Sequence, residues 1–229
     1  MILCIETATK ICSVALCHNG DLIEKKESSE EKSHSTLLTV FIEDILKSAG
    51  LKATSLDAVA VSKGPGSYTG LRIGVSAAKG IAYAAEIPLI AVPTTELMYH
   101  GGRAKGEYDY YCPMIDARRM EVYTAVYDKK GNEIKGISAE LIRENTFADL
   151  LDRGTVLFFG DGAQKCSKIV NHPSAFFDES FRISSEYMCR PALEAFNNKK
   201  FEDVAYFEPF YLKDFIATIP KKNILGGER

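Results

Sequence analysis

The chain has 229 residues, 46% of them hydrophobic, enough for one large domain or two small lobes. Its 28 basic residues fall short of its 31 acidic ones, and a net charge of −3 argues against a strong nucleic-acid surface of its own. No apolar run approaches the ~18 residues of a membrane span, so no membrane-spanning helix is expected.

Met1 to Glu6 reads as a buried strand, with no basic segment ahead of it. Thr7 to Lys10 turns the chain, and Ile11 to Cys17 returns with Cys12, Val14 and Leu16 alternating against Ser13, Ala15 and Cys17. His18-Asn19-Gly20-Asp21 is a hairpin signal, and Leu22 to Lys26 makes a third strand. Beyond the charged run Glu24 to Lys32, a helix is expected from Ser33 to Ala49. Its apolar stripe is Leu37, Leu38, Phe41, Ile42, Ile45, Leu46 and Ala49, and Gly50 closes it. The stripe is wide enough to serve a core, or half of a two-helix interface.

A strand at Leu56–Val61 runs into Gly64-Pro65-Gly66, with Ser67 and Thr69 as candidate N-caps of a long helix. This strand, turn and helix N-terminus can either hold an anion or form a capped connection without a ligand. Neither the P-loop nor the G-x-G-x-x-G spacing is met, because Thr69 stands where each needs glycine. Gly70, Gly74, Ala78 and Ala82 then recur every four residues as a ridge almost without side chains. Glycine in a helix costs roughly 1 kcal/mol against alanine, so Gly74 and Gly80 suggest close packing, by another element of the domain or by a partner chain.

Ile87 to Val92 is the next strand, with Pro88 marking an edge or a start, and Pro93-Thr94-Thr95-Glu96 opens a helix. The glycine-rich, charged segment His100 to Asp109 divides two lobes. The pattern then restarts. Tyr110–Asp116, Met120–Tyr127 and Glu133–Ile137 are strands, Thr146 caps a short helix, and Val156–Phe159 leads into Gly160-Asp161-Gly162-Ala163 and a further helix. A final short helix begins or breaks at Arg190-Pro191. Glu6 and Asp116 hold equivalent strand ends, which indicates a duplication with a shortened second copy. Three antiparallel strands, a helix and strand-helix-strand is the ribonuclease-H-like order. It is also the repeated half of the actin, sugar-kinase and Hsp70 superfamily.

The expected fold is therefore α/β, an actin-like ATPase (ASKHA) duplication in two lobes. Residues 1–100 form the first lobe, residues 101–220 the shortened second, and 221–229 a disordered tail. Six cysteines without a C-x-x-C pair are expected to be reduced, buried thiols, with neither a disulfide framework nor a zinc site.

The run Gly64-Pro65-Gly66-Ser67-Tyr68-Thr69-Gly70-Leu71-Arg72-Ile73-Gly74 resembles the hallmark of the bacterial TsaB (YeaZ) family. Met-Ile-Asp-Ala-Arg-Arg at 114–119 resembles that family's second-lobe opening, and Pro209-Phe210-Tyr211-Leu212-Lys213 its Pro-x-Tyr-Leu-Arg ending, with lysine for arginine. The resemblance implies a cytoplasmic, non-catalytic scaffold without a cofactor. Such a scaffold dimerises with the catalytic paralogue TsaD and helps to recruit the ATPase TsaE, while threonylcarbamoyl is transferred to N6 of adenosine 37 in tRNA. It would touch tRNA only through that complex, and could form a homodimer alone. The expected partner interface is the helix pair with Leu37, Leu38, Phe41, Ile42, Ile45, Gly70, Arg72, Gly74, Ala78 and Ala82.

In TsaD the corresponding helix carries H-x-x-x-H as metal ligands, whereas His34 here is followed four later by Leu38, so no metal is expected. Glu6 replaces the usual TsaB aspartate. By resemblance to the superfamily, Glu6, Thr7, Asp116, Gly160, Asp161 and Gly162 would mark a vestigial nucleotide or phosphate site. The competing reading is a free-standing nucleotide-dependent enzyme or peptidase, though no G-x-S-x-G elbow is present.

Overall fold

The computed structural model describes residues 1–30 and 33–213, so the tail at 221–229 lies outside the described residues. Strands β1 (Ile2–Glu6), β2 (Cys12–His18) and β3 (Asp21–Ser28) form an antiparallel meander, to which β4 (Ala58–Gly64) and β5 (Leu89–Pro93) add in parallel. The order is β3-β2-β1-β4-β5. The β2–β3 hairpin closes on Asn19 and Gly20, both at positive φ, the geometry that a two-residue turn between twisted strands requires.

The second sheet repeats this topology. β6 (Tyr110–Asp116), β7 (Glu121–Asp128) and β8 (Glu133–Leu141) form the meander, and β9 (Val156–Phe159) and β10 (Ala175–Asp178) add in parallel, in the order β10-β9-β6-β7-β8. Both the duplication and its shortening are real. The helices α1 (Ser33–Ser48) and α2 (Tyr68–Ala85) have 16 and 18 residues, while their counterparts α4 (Ala148–Leu151) and α5 (Ala163–Ser167) have 4 and 5.

Three apolar layers follow from period-2 alternation on strands buried on both faces. Leu3, Ile5, Val14 and Leu16 meet α1 and α2 on the outer side of the first sheet. Ile2, Cys4, Ala15 and Cys17 share the middle layer with Tyr111, Ile115 and Phe159 of the second sheet. That layer also takes in α3 (Thr94–Arg103) and α6 (Cys189–Asn197). Cys112, Met114 and Phe158 form the third layer with Phe147 and Leu151.

From Phe181 onward the chain returns to the first sheet. Ser185 donates its N–H to Ser13 Oγ at 3.0 Å, and Glu202 donates to the Leu89 carbonyl at 2.9 Å, covering the β5 edge beside Pro88. Lys79 donates to the carbonyls of Ala205 and Phe207, and Phe210 donates to that of Lys63 at 2.7 Å.

Three expectations need correction. Thr146 does not cap α4: its hydroxyl accepts the Arg143 N–H and serves the preceding turn, and α4 begins after Phe147. Strand β10 went unread because four residues carry little periodicity. The cysteines are not all reduced, since Cys17 and Cys189 form a disulfide across a sequence separation of 172. Their Cα atoms stand 5.6 Å apart where α6 crosses β2, a proximity made by tertiary packing and invisible to spacing rules.

Candidate functional site

The glycine-rich turn after β4 is filled by the chain itself. Ala8 offers its carbonyl to the Ser67 N–H at 2.6 Å, so a backbone oxygen sits where an anion would. Ser67 is the N-cap of α2, its hydroxyl accepting the Gly70 N–H at 3.3 Å. A β-carbon on Gly66 would strike the Ala8 carbonyl, one on Gly70 the Thr7 carbonyl, and one on Gly74 the Thr7 hydroxyl. The ridge therefore seats the β1–β2 turn against α2, and another element of the same domain is what packs close. Gly70 and Gly74 are buried in this way, while Val75, Ala78 and Ala82 are buried in the outer core against the first sheet and α1.

On α1, Leu38, Ile42 and Ile45 belong to the same outer core, while Leu37 and Phe41 are half-buried. The two helices touch along these faces. What they leave to solvent is different and was not read as a face from the sequence. Thr69, Ser76, Gly80 and Ala84 are exposed on α2, with Tyr83 81% exposed, and Val40 of α1 is 44% exposed. A β-carbon on Gly80 would meet nothing within 4 Å. The available signal was the near-absence of charge: Arg72 and Lys79 are the only ionised side chains in the 18 residues of α2, which leaves small residues on two faces instead of one. Arg72 is exposed at one end of this surface. It donates to the Tyr68 hydroxyl at 2.7 Å and stacks on that ring, which in turn lies 4.9 Å from Tyr211.

His34 donates from Nε2 to the Ile11 carbonyl at 3.1 Å, a structural bond holding the start of α1 to β2. Leu38, the residue four later, is 2% exposed in the core.

The two strand ends differ sharply in electrostatics. Glu6 is fully buried; one carboxylate oxygen accepts the Ala8 N–H and the other has no partner among the described residues. Burial pushes its pKa up to about 7, against the lowering pull of the Ala8 N–H and the neighbouring Ser62 hydroxyl. Asp116 is exposed. Partial burial would raise its pKa, but Lys165 at 2.5 Å and the Arg118 N–H at 2.7 Å bring it below the ordinary value.

Asp161 accepts the Asp116 N–H at 2.8 Å, and Gly162 donates to the Met114 carbonyl at 3.0 Å. Burial raises the Asp161 pKa, and the charge of Asp116 adds to it. Asp116, Gly160, Asp161 and Gly162 thus come together at the ends of β6 and β9, while Glu6 and Thr7 stand at the end of β1. Lys10, from the first-copy turn, lowers the pKa of both Asp116 and Asp161, which brings the two copies' turns within electrostatic reach. The second-copy N–H of Gly162 is spent on a carbonyl, as that of Ser67 is in the first.

A family model described as TsaD, tRNA N6-adenosine threonylcarbamoyltransferase, matches residues 23–221. The tRNA threonylcarbamoyladenosine biosynthesis protein TsaB of Escherichia coli is 32% identical over 99% of this chain and 99% of its own. The chain belongs to the TsaB (YeaZ) family. The Bacillus subtilis TsaB is 34% identical over 59% of this chain and 58% of its own. The solved structure of YeaZ from Pseudomonas aeruginosa superposes with a TM-score of 0.79 at 26% identity, covering 92% of this chain and 99% of that one. A second P. aeruginosa structure, described as an uncharacterized protein with similarity to peptidase YeaZ, gives 0.80 at 26% identity over 93% and 99%. The duplicated fold is accordingly of the actin-like ATPase type. Among the described residues no helix is long and apolar enough to cross a membrane.

Proposed function

We propose that this chain is a non-catalytic dimerisation subunit, which binds a TsaD-like catalytic paralogue through the solvent faces of α1 and α2. With a TsaE-like ATPase it supports transfer of threonylcarbamoyl to N6 of adenosine 37 in tRNA, in the cytoplasm. Membership of the TsaB family supports a part in tRNA threonylcarbamoyladenosine biosynthesis.

The observation that carries the interface is the face around Gly80. A glycine in mid-helix with empty space above it, with exposed Tyr83 one turn along α2 and exposed Val40 on the neighbouring α1, lets a second helix approach closely and offers it an aromatic anchor. A non-catalytic role is supported by His34, committed to the Ile11 carbonyl, and by Leu38 in the place of a second ligand. With a net charge of −3, tRNA is reached through the complex and not by this chain alone. Without its partner, the same face would pair two copies of the chain.

The test is calorimetric titration of the paralogue with wild type, Gly80→Leu and Tyr83→Ala, folding being checked by circular dichroism. Each variant is expected to lose at least about tenfold in affinity, the scale of an interface anchor. Unchanged affinity in both would move the interface elsewhere.

A further inference from the structure

Cys4, Cys17 and Cys189 bring three sulfurs to one point in the middle layer, where all three lie within 4.8 Å of one another. The topology explains the convergence. Cys4 pairs with Ala15 and Cys17 with Ile2 across the antiparallel β1–β2 ladder, so the two cysteines are diagonal neighbours on the face turned toward the second sheet. Cys189 opens α6, which crosses above them. The Cys4 and Cys17 sulfurs stand 3.7 Å apart. Ligand sulfurs about 2.3 Å from a common ion lie roughly 4 Å from each other.

The three residues are 0%, 1% and 3% exposed, among Ile2, Ala15, Ala58 and Ala60. Among the described residues no histidine or carboxylate joins them.

We propose that, once the Cys17–Cys189 bridge is reduced, Cys4, Cys17 and Cys189 form a three-sulfur site for a monovalent soft cation, Cu⁺. The bridge is the oxidised, metal-free state of the same site. Ligand type selects a thiophilic metal over magnesium or calcium. Coordination number then selects within that class, because structural zinc takes four ligands and this dry pocket offers three.

The steps balance. A phosphine reductant gives two electrons to the bridge and becomes its oxide, with water supplying the oxygen and the two protons that make Cys17 and Cys189 thiols. The ion then replaces thiol protons, which leave to solvent.

The experiment is anaerobic titration of the phosphine-reduced full chain with Cu⁺, against the competing chelator bathocuproine, followed by X-ray absorption at the copper edge. One equivalent is expected to survive desalting, in a shell of sulfur only. Cys4→Ser, Cys17→Ser and Cys189→Ser should each weaken retention by more than about tenfold. Cys112→Ser and Cys166→Ser, at buried cysteines outside the cluster, should leave it unchanged. The chain with its bridge intact should retain none. Should a Ser variant fail to fold, Cys4→Ala in the presence of the reductant asks the same question.

Failure of the reduced, folded wild type to retain Cu⁺ would overturn the proposal. So would equal retention by a Cys4→Ser/Cys17→Ser/Cys189→Ser protein. Zn²⁺ held by the same sulfurs in preference to Cu⁺ would overturn the choice of ion.

Discussion

Gly74→Ala and Gly80→Ala are the same substitution, six residues apart in one helix, and the structure assigns them opposite consequences. Alanine in a helix interior is favoured over glycine by roughly 1 kcal/mol. At Gly80 nothing lies within 4 Å of the new methyl, so that gain should be realised in full, raising the melting temperature by about 2–4 °C in a protein of this size. At Gly74 the methyl would overlap the Thr7 hydroxyl and stand 3.3 Å from Thr7 Cβ. Overpacking of this kind costs about 1–3 kcal/mol, which cancels or exceeds the helix gain.

The difference between the two variants is therefore expected at about 1–3 kcal/mol, read from urea denaturation midpoints at unchanged slope. Thr7→Ala removes the obstructing hydroxyl, which has no hydrogen-bond partner among the described residues. A Thr7→Ala/Gly74→Ala double mutant should therefore recover at least about 1 kcal/mol of coupling. Equal stabilisation by the two glycine substitutions would refute the packing of the β1–β2 turn on α2.

Glu6 gives a pH signature. Its folded-state pKa, about 7, lies above the ordinary 4.5, so the folded protein binds the extra proton between those values. Stability should fall as pH rises from about 5 to 7, by on the order of 3 kcal/mol. Glu6→Gln should flatten the curve and be the more stable protein at pH 8; an unaltered pH profile would contradict a buried, uncompensated carboxyl. Lys79→Ala removes the cation that holds the carbonyls of Ala205 and Phe207, and should cost about 1 kcal/mol while making the 201–213 segment more sensitive to protease. Resistance equal to wild type would count against that tether. Reducing the Cys17–Cys189 bridge without adding metal should lower stability by about 2–4 kcal/mol; coincident melts with and without reductant would argue that the bridge is absent in solution.

Most of the fold was legible because strands buried on one or both faces announce themselves by alternation. Tyr110–Asp116 and Val156–Phe159 are read from sequence with their observed bounds. Asn19-Gly20 and Gly50 mark their turns by backbone freedom. Partner assignment was less legible. The four-residue recurrence of Gly70, Gly74, Ala78 and Ala82 signals a close approach but carries no label for what approaches. At Gly70 and Gly74 the approaching element is the β1–β2 turn, while Ala78 and Ala82 pack into the outer core. Gly80 has the same composition and the opposite surroundings, a distinction only tertiary structure makes. The Cys17–Cys189 bridge was hidden for the same reason, since its two halves meet only after α6 returns across the first sheet.

The most direct measurement of the central claim is threonylcarbamoylation of tRNA in a purified mixture of the TsaD-like paralogue, the TsaE-like ATPase and the adenylate-forming enzyme, with and without this chain. Modification that requires this chain, falls with Gly80→Leu, and does not occur with this chain alone is the predicted result. Modification proceeding equally well in its absence, or turnover by the isolated chain, would contradict the scaffold account.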